Sequence, residues 1–226
     1  MIELVHIPQK VPYSKFTPEV LFELPEVPLD VAENYVRETV IRLAEDSLLM
    51  HREVKIRTQL GCDSYLLEPP DDTRTLKIIR VCDWQGRELA IKNGICMSPC
   101  NIGAWDWCGG KSCNGSVPWA TFRHPNELIV VPPPAGEFEL GFSVVLAVAP
   151  DRDSCEVDEI VYQRYAQVVI DGAVAALLRM PNKTWSSQAA AAKRAQDFNH
   201  GKMRAHLDQM VGSAGAHQRL VTRRFV

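Results

Sequence analysis

Apolar residues change their spacing three times along this chain. From Val31 they recur at Tyr35, Val36, Val40, Leu43, Ala44 and Leu48, the period of a helix with one buried face. Asp30 with Glu33 three residues later has the form of a capping box, so a helix is predicted over about 30–50. After His51 the pattern shortens. Segments 52–60, 64–68, 75–83 and 87–92 are rich in β-branched and aromatic residues and are separated by turn signals. Trp84-Gln85-Gly86 reads as a hairpin turn joining Ile78–Val81 to Leu89–Ile91. Leu128–Val131 is a continuous apolar run closed by three prolines. Phe138, Leu140, Phe142, Val144, Leu146 and Val148 then alternate at period two until Pro150.

The helical period returns near 156, with Asp153 and Glu156 as candidate caps. Ile160, Val161, Tyr165, Val168, Val169, Ala173, Ala176 and Leu177 form a broad apolar surface that Pro181 stops. Ser186 or Ser187 can cap a last helix over about 187–211. Gly172 and Gly201 lie inside these two helices, where each costs about 1 kcal/mol relative to Ala. A close helix–helix approach would offset that cost. Pro8, Pro12, Pro18, Pro25 and Pro28 crowd the first 28 residues, which predicts an extended arm that orders on assembly.

The expected class is therefore α+β, and helices at both ends of the chain must pack together. A helical bundle body (29–51 plus 153–212, helices about 30–50, 156–180 and 187–211) carries an inserted antiparallel β-sandwich-like domain at 52–150. An N-terminal arm (1–28) and a C-terminal tail (213–226) complete it. At 226 residues the chain can bury a core without staples, and 46% apolar residues exclude disorder throughout. No run of about 18 apolar residues is present, so no membrane span is expected, and no secretory signal is visible at Met1–Lys10.

Charge sharpens this picture. The net charge of −3 argues against a nucleic-acid coat. Residues 1–50 hold four basic and nine acidic side chains, whereas residues 181–226 hold eight basic and two acidic ones. Ends of opposite sign suit contacts between copies.

Candidate chemistry is sparse. Cys96, Cys100, Cys108 and Cys113 are four of seven cysteines, spaced C-x3-C-x7-C-x4-C in a glycine-rich loop. The pair spacings fall within the zinc range but the middle gap is short for a finger, so a zinc-stabilised binding module is the alternative reading. A deaminase is excluded by Gly103, which stands where the second cysteine of a Pro-Cys-x-x-Cys motif starting at Pro99-Cys100 would be needed. No phosphate loop, dinucleotide fingerprint, zinc-protease helix or serine elbow is present. A cysteine nucleophile with one of six scattered histidines is a third possibility. His200 and His206 are six apart, do not share a helix face, and are expected to face solvent. Asp71-Asp72 after two prolines reads as a turn. No cofactor is expected.

One family accounts for more of these features than any motif does. The segment Gly172–His206 resembles the helix–turn–helix of head-to-tail connector adaptors of tailed bacteriophages, the portal adaptors that include the tail tubular protein A type. The matching positions are Gly172, Ala173, Leu177, Leu178, Pro181, Lys183, Trp185, Ser186, Ala189, Phe198 and Gly201. Tyr65–Leu67, Val81–Leu89, Pro118-Trp119 and Leu128–Pro134 are similar as well, so the resemblance covers roughly 30–206, while the cysteine loop departs from it. It implies a non-enzymatic structural protein of the virion, assembled in the host cytoplasm and placed at the head–tail junction. Its partners would be copies of itself in a twelve-membered ring, the portal protein, the tail tube or nozzle protein, and double-stranded DNA passing through the channel without sequence-specific binding. C-terminal segments of such adaptors embrace the portal, so Leu220, Arg223, Arg224 and Phe225 are the expected portal-docking residues, with apolar groups filling pockets and arginines pairing carboxylates.

Overall fold

The computed structural model describes residues 9–211 except 70–71, 93–117, 124–125 and 135. Both helices and antiparallel sheets are present, with four α-helices among the described residues. The chain divides into two compact units, one from Met1–Leu49 with Cys155–Val226, the other from Met50–Ser154.

The first unit is mainly helical. It opens on a strand, β1 (Lys10–Pro12), a 3-10 turn (Tyr13–Lys15) and a helix, α1 (Thr17–Glu23). The expected extended arm is thus corrected over residues 10–23. The prolines mark where elements begin: Pro12 precedes the 3-10 turn, Pro18 lies in the first turn of α1, and Pro28 is the N-cap of the next helix. A helix start has unpaired N–H groups anyway, so a residue without one is tolerated there. Tyr13, Phe16 and Val20 are fully buried, which periodicity over so short a segment does not announce.

Helix α2 (Leu29–Ser47) buries Ala32, Val36, Val40, Leu43 and Ala44 and ends at Leu48, whose φ of 55° is left-handed. Its first turn contains Asp30, but no side chain caps it, so the expected capping box does not form. Strand β9 (Glu156–Asp158) pairs antiparallel with β1, Val11 opposite Val157, and leads into α3 (Glu159–Leu178). Glu156 therefore belongs to a strand, and Asp158 holds the N-cap position without a side-chain bond. Helix α4 (Gln188–Val211) follows, with Ser187 as its cap: Ala190 N–H reaches Ser187 Oγ at 3.4 Å. The two helical glycines lie where neighbouring helices crowd them. A Cβ on Gly172 would stand 2.5 Å from Thr39 Cγ2 and 2.8 Å from Phe198 Cδ2, and one on Gly201 would stand 2.5 Å from Val168 Cγ2. Phe16 and Tyr162 meet edge to face at 5.1 Å in the same core.

The second unit is built on strands. β8 (Phe138–Pro150) is the central strand of a three-stranded antiparallel sheet, between β2 (Met50–Thr58) and β4 (Thr73–Asp83). Its period-two pattern holds from Phe142 to Leu146, but Leu140 is exposed before it, and from Leu146 to Ala149 every residue is buried, as a central strand covered on both faces requires. A four-stranded sheet has the order β3 (Ser64–Leu66), β7 (Glu127–Val131), β6 (Trp119–Arg123), β5 (Ala90–Ile91). One pair corrects the all-antiparallel expectation: β5 runs parallel to β6. A long connection separates them in sequence, which is what a parallel pair needs. Tyr65 of β3 contacts Phe142 of β8 edge-on at 5.6 Å, linking the two sheets.

Candidate assembly surfaces

The turn between α3 and α4 holds Pro181, Lys183, Trp185 and Ser186 of the helix–turn–helix resemblance. Pro181 follows the last turn of α3, and Asn182 takes a left-handed φ of 59°, a conformation that asparagine tolerates well. Ser187 N–H donates to Leu178 O at 3.0 Å, and Ser186 N–H donates to Lys183 O at 3.1 Å. The Ser186 hydroxyl donates to Met180 O. Lys183 Nζ lies 5.7 Å from the centre of the Trp185 ring, and Thr184 hydrogen-bonds Glu26. The turn is therefore fixed by its own backbone and tied to the segment after α1.

Charged side chains lock α4 to its neighbours. Arg194 bridges Asp171 on α3 at 2.5 Å and Glu23 on α1 at 2.6 Å. Asp171 also accepts from Gln167 Nε2 at 3.2 Å. Despite its partial burial, Arg194 has its pKa raised by the Asp171 hydrogen bond and by Glu23. Lys202 pairs with Asp46 of α2 at 2.5 Å. Tyr165 donates to Asp208 Oδ2 at 3.2 Å, and burial, then the Asp208 charge, raises its pKa.

The opposite side of α4 is apolar and bare. Ala191, Phe198 and Ala205 are buried on one face, whereas Met203, Leu207 and Met210 are 66%, 55% and 72% exposed. Spaced at i, i+4 and i+7, these three fall within about 60° of arc, a stripe a helix keeps for a partner. The helix predicted over about 187–211 does not set Met203 and Leu207 apart from buried positions, because an apolar residue reads the same on either face. In the second unit Leu60, Leu66 and Leu140 are exposed, and Trp84 stacks on Phe138 at 5.2 Å. The hairpin after β4 is set by a residue sequence reading did not single out: Asp83 accepts from Gln85 and Arg87 backbone N–H at 2.9 and 2.8 Å and from Arg87 Nε at 2.7 Å.

Other sequence-predicted residues fall as follows. Leu220, Arg223, Arg224 and Phe225 lie outside the described residues, as do Cys96, Cys100, Cys108 and Cys113. Among the described residues, no group of three or more His, Cys, Asp or Glu is placed to hold a metal ion. Among the described residues, Cys62, Cys82 and Cys155 form no disulfide. Asp72 has φ of 62°, in keeping with a turn, while Asp71 is outside the described set. His200 is exposed, but His206 is half-buried and its Nδ1 has no hydrogen-bond partner, which corrects the expectation of a solvent-facing ring. Its neighbour Ala205 faces the core, so position 206 sits on the flank of the buried stripe. No helix of the described residues is long and apolar enough to cross a membrane. No family model matches this chain, and no curated protein matches it by sequence.

Proposed function

We propose that this chain is a non-enzymatic structural adaptor of a bacteriophage head–tail junction, a helical bundle carrying an inserted β-sandwich-like domain. Copies form a ring below the portal, extend the DNA channel and anchor the next tail component. The observation that carries the reading is the two-faced helix α4. One side is packed through Gly201, Phe198 and Ala205, and the other leaves Met203, Leu207 and Met210 uncovered beside the start of the basic tail. A fold that secures one face so closely while baring three large apolar groups on the other suits burial against a neighbouring copy. The fixed Pro181–Ser187 turn and the opposite charges of the two chain ends support the same arrangement. The acidic balance agrees with a channel that passes DNA without gripping it.

Imaging of the purified full chain mixed with its cognate portal protein tests the reading. Twelve-fold rings bound to portal are the expected result, and deletion of residues 213–226 should abolish that binding. A chain that remains monomeric and ignores the portal overturns it.

A further inference from the structure

We propose that a cavity between α2, α3 and α4 is a phosphate-class oxyanion site. The cavity measures about 90 Å³ and is lined by Arg42 of α2, Arg179 after α3, and Asn199 and Lys202 of α4. Its apolar wall comes from Gly172, Ala175, Ala176, Ala195 and Phe198, so small side chains leave the space that larger ones would fill. No carboxylate lines it. Asp46 of α2 takes Lys202 at 2.5 Å.

Charge decides the ligand class. Lys202 and Asp46 offset each other, and Arg42 and Arg179 remain. Among the described residues, neither guanidinium makes an ion pair or a side-chain hydrogen bond, although both border the same small space. Two unmatched cations leave a charge of +2, which a phosphate dianion neutralises and a single carboxylate does not. Arginine forks and an amide present more donors than one carboxylate accepts, whereas a phosphate offers three or four oxygens. The volume exceeds by several-fold the ~10–15 Å³ that admits one water, yet it is too small for a nucleoside. The ligand is therefore a single phosphate group, from free inorganic phosphate or from a nucleic-acid backbone.

Calorimetric titration of the full chain with inorganic phosphate, in phosphate-free buffer at fixed ionic strength, tests this. Saturable binding to the wild type is expected, weakened about tenfold or more in the Arg42→Ala, Arg179→Ala double variant. Both side chains are exposed, so circular dichroism should show that variant folded. An Arg57→Ala, Arg80→Ala variant makes the same charge change in the other unit and should bind as the wild type does. Equal phosphate binding by the two double variants overturns the site, and so does the absence of wild-type binding. Acetate binding as tightly as phosphate overturns the phosphate class in favour of a carboxylate. Displacement of phosphate by a duplex of arbitrary sequence, with a salt slope reduced by about two in the Arg42, Arg179 variant, assigns the phosphate to nucleic acid. Without displacement, the source is the free ion.

Discussion

The two units hold together by different means. In the unit of Met50–Ser154 the strands share their backbone hydrogen bonds, so β8 is joined along its length to β2 and β4 before any side chain is counted. Two ion pairs in this unit are local, Asp83 with Arg87 and Glu127 with Arg123, each four residues apart. The helical unit has no such ladder between its main elements. A helix satisfies its own backbone, so attachment between helices falls to side chains. There the ties span long stretches of chain, Arg194 to Glu23, Lys202 to Asp46 and Tyr165 to Asp208. Close approach at Gly172 and Gly201 does the rest. Cohesion in one unit is thus a property of the backbone, and in the other a property of a few side chains.

The strongest way to break that contrast is to damage the sheet core. Leu146→Ala removes a fully buried side chain from the central strand and should cost about 2–5 kcal/mol. Hydrogen exchange should then show protection lost across β2, β4 and β8 while α2, α3 and α4 keep theirs. Equal loss in both units would show that they fold as one. Gly172→Leu is the matching insult to the helices. Its side chain would meet Thr39 and Phe198, and overpacking of this kind costs about 1–3 kcal/mol. Exchange should rise in α2, α3 and α4 with the sheets unaffected.

The elements that periodicity could see are those whose buried face repeats over several turns or pleats. Helices α2, α3 and α4 fall close to their predicted spans, and β8 begins at its predicted Phe138. What escaped detection depends on partners distant in sequence. β1 has three residues and exists because β9 pairs with it nearly 150 positions later, a contact no local pattern contains. Caps were misplaced for a related reason: Asp30 and Asp153 have the right chemistry, but helix starts were set by Pro28 and by strand β9. Of the candidate surface, the turn at Pro181–Ser187 was legible as a motif. The stripe of Met203, Leu207 and Met210 was not, because an apolar residue reads the same whether its own core or another chain covers it.

A subtler probe of the helical unit is Arg194→Ala. Asp171 is 7% exposed and would lose its cation, although Gln167 still donates to it. Hydrogen bonds to charged groups are worth about 1.5–3 kcal/mol, and the partial exposure of Arg194 places the expected loss toward the lower end. In the double variant Arg194→Ala, Asp171→Asn most of the penalty should vanish, since no buried charge is left without a partner. Denaturant titration of both variants checks this. Additive losses would mean that Arg194 and Asp171 do not act as a pair, and would weaken the contrast drawn between the two units.

The smallest expected effect compares one tyrosine from each unit at high pH. Burial, as the largest cause, pushes Tyr65 up from its ordinary value of 10 to about 12. Its hydroxyl donates to Cys62 O at 2.8 Å, a bond the phenolate cannot make. The unfolded chain releases this proton near 10, while the folded sheet unit holds it until about 12. The stabilisation is therefore complete below 10 and is lost as pH rises toward 12. Tyr165 is raised too, by burial first and the Asp208 charge next, so the helical unit should lose stability in the same direction. Measured from pH 9 upward, Tyr65→Phe should flatten the decline in the sheet unit alone, and Tyr165→Phe that in the helical unit alone. A Tyr65→Phe variant that declines as steeply as the wild type would show that this hydroxyl does not couple the sheet unit to pH. If either substitution flattened both declines, the two units would be sharing their stability, which is the one thing the contrast between ladder and side-chain ties forbids.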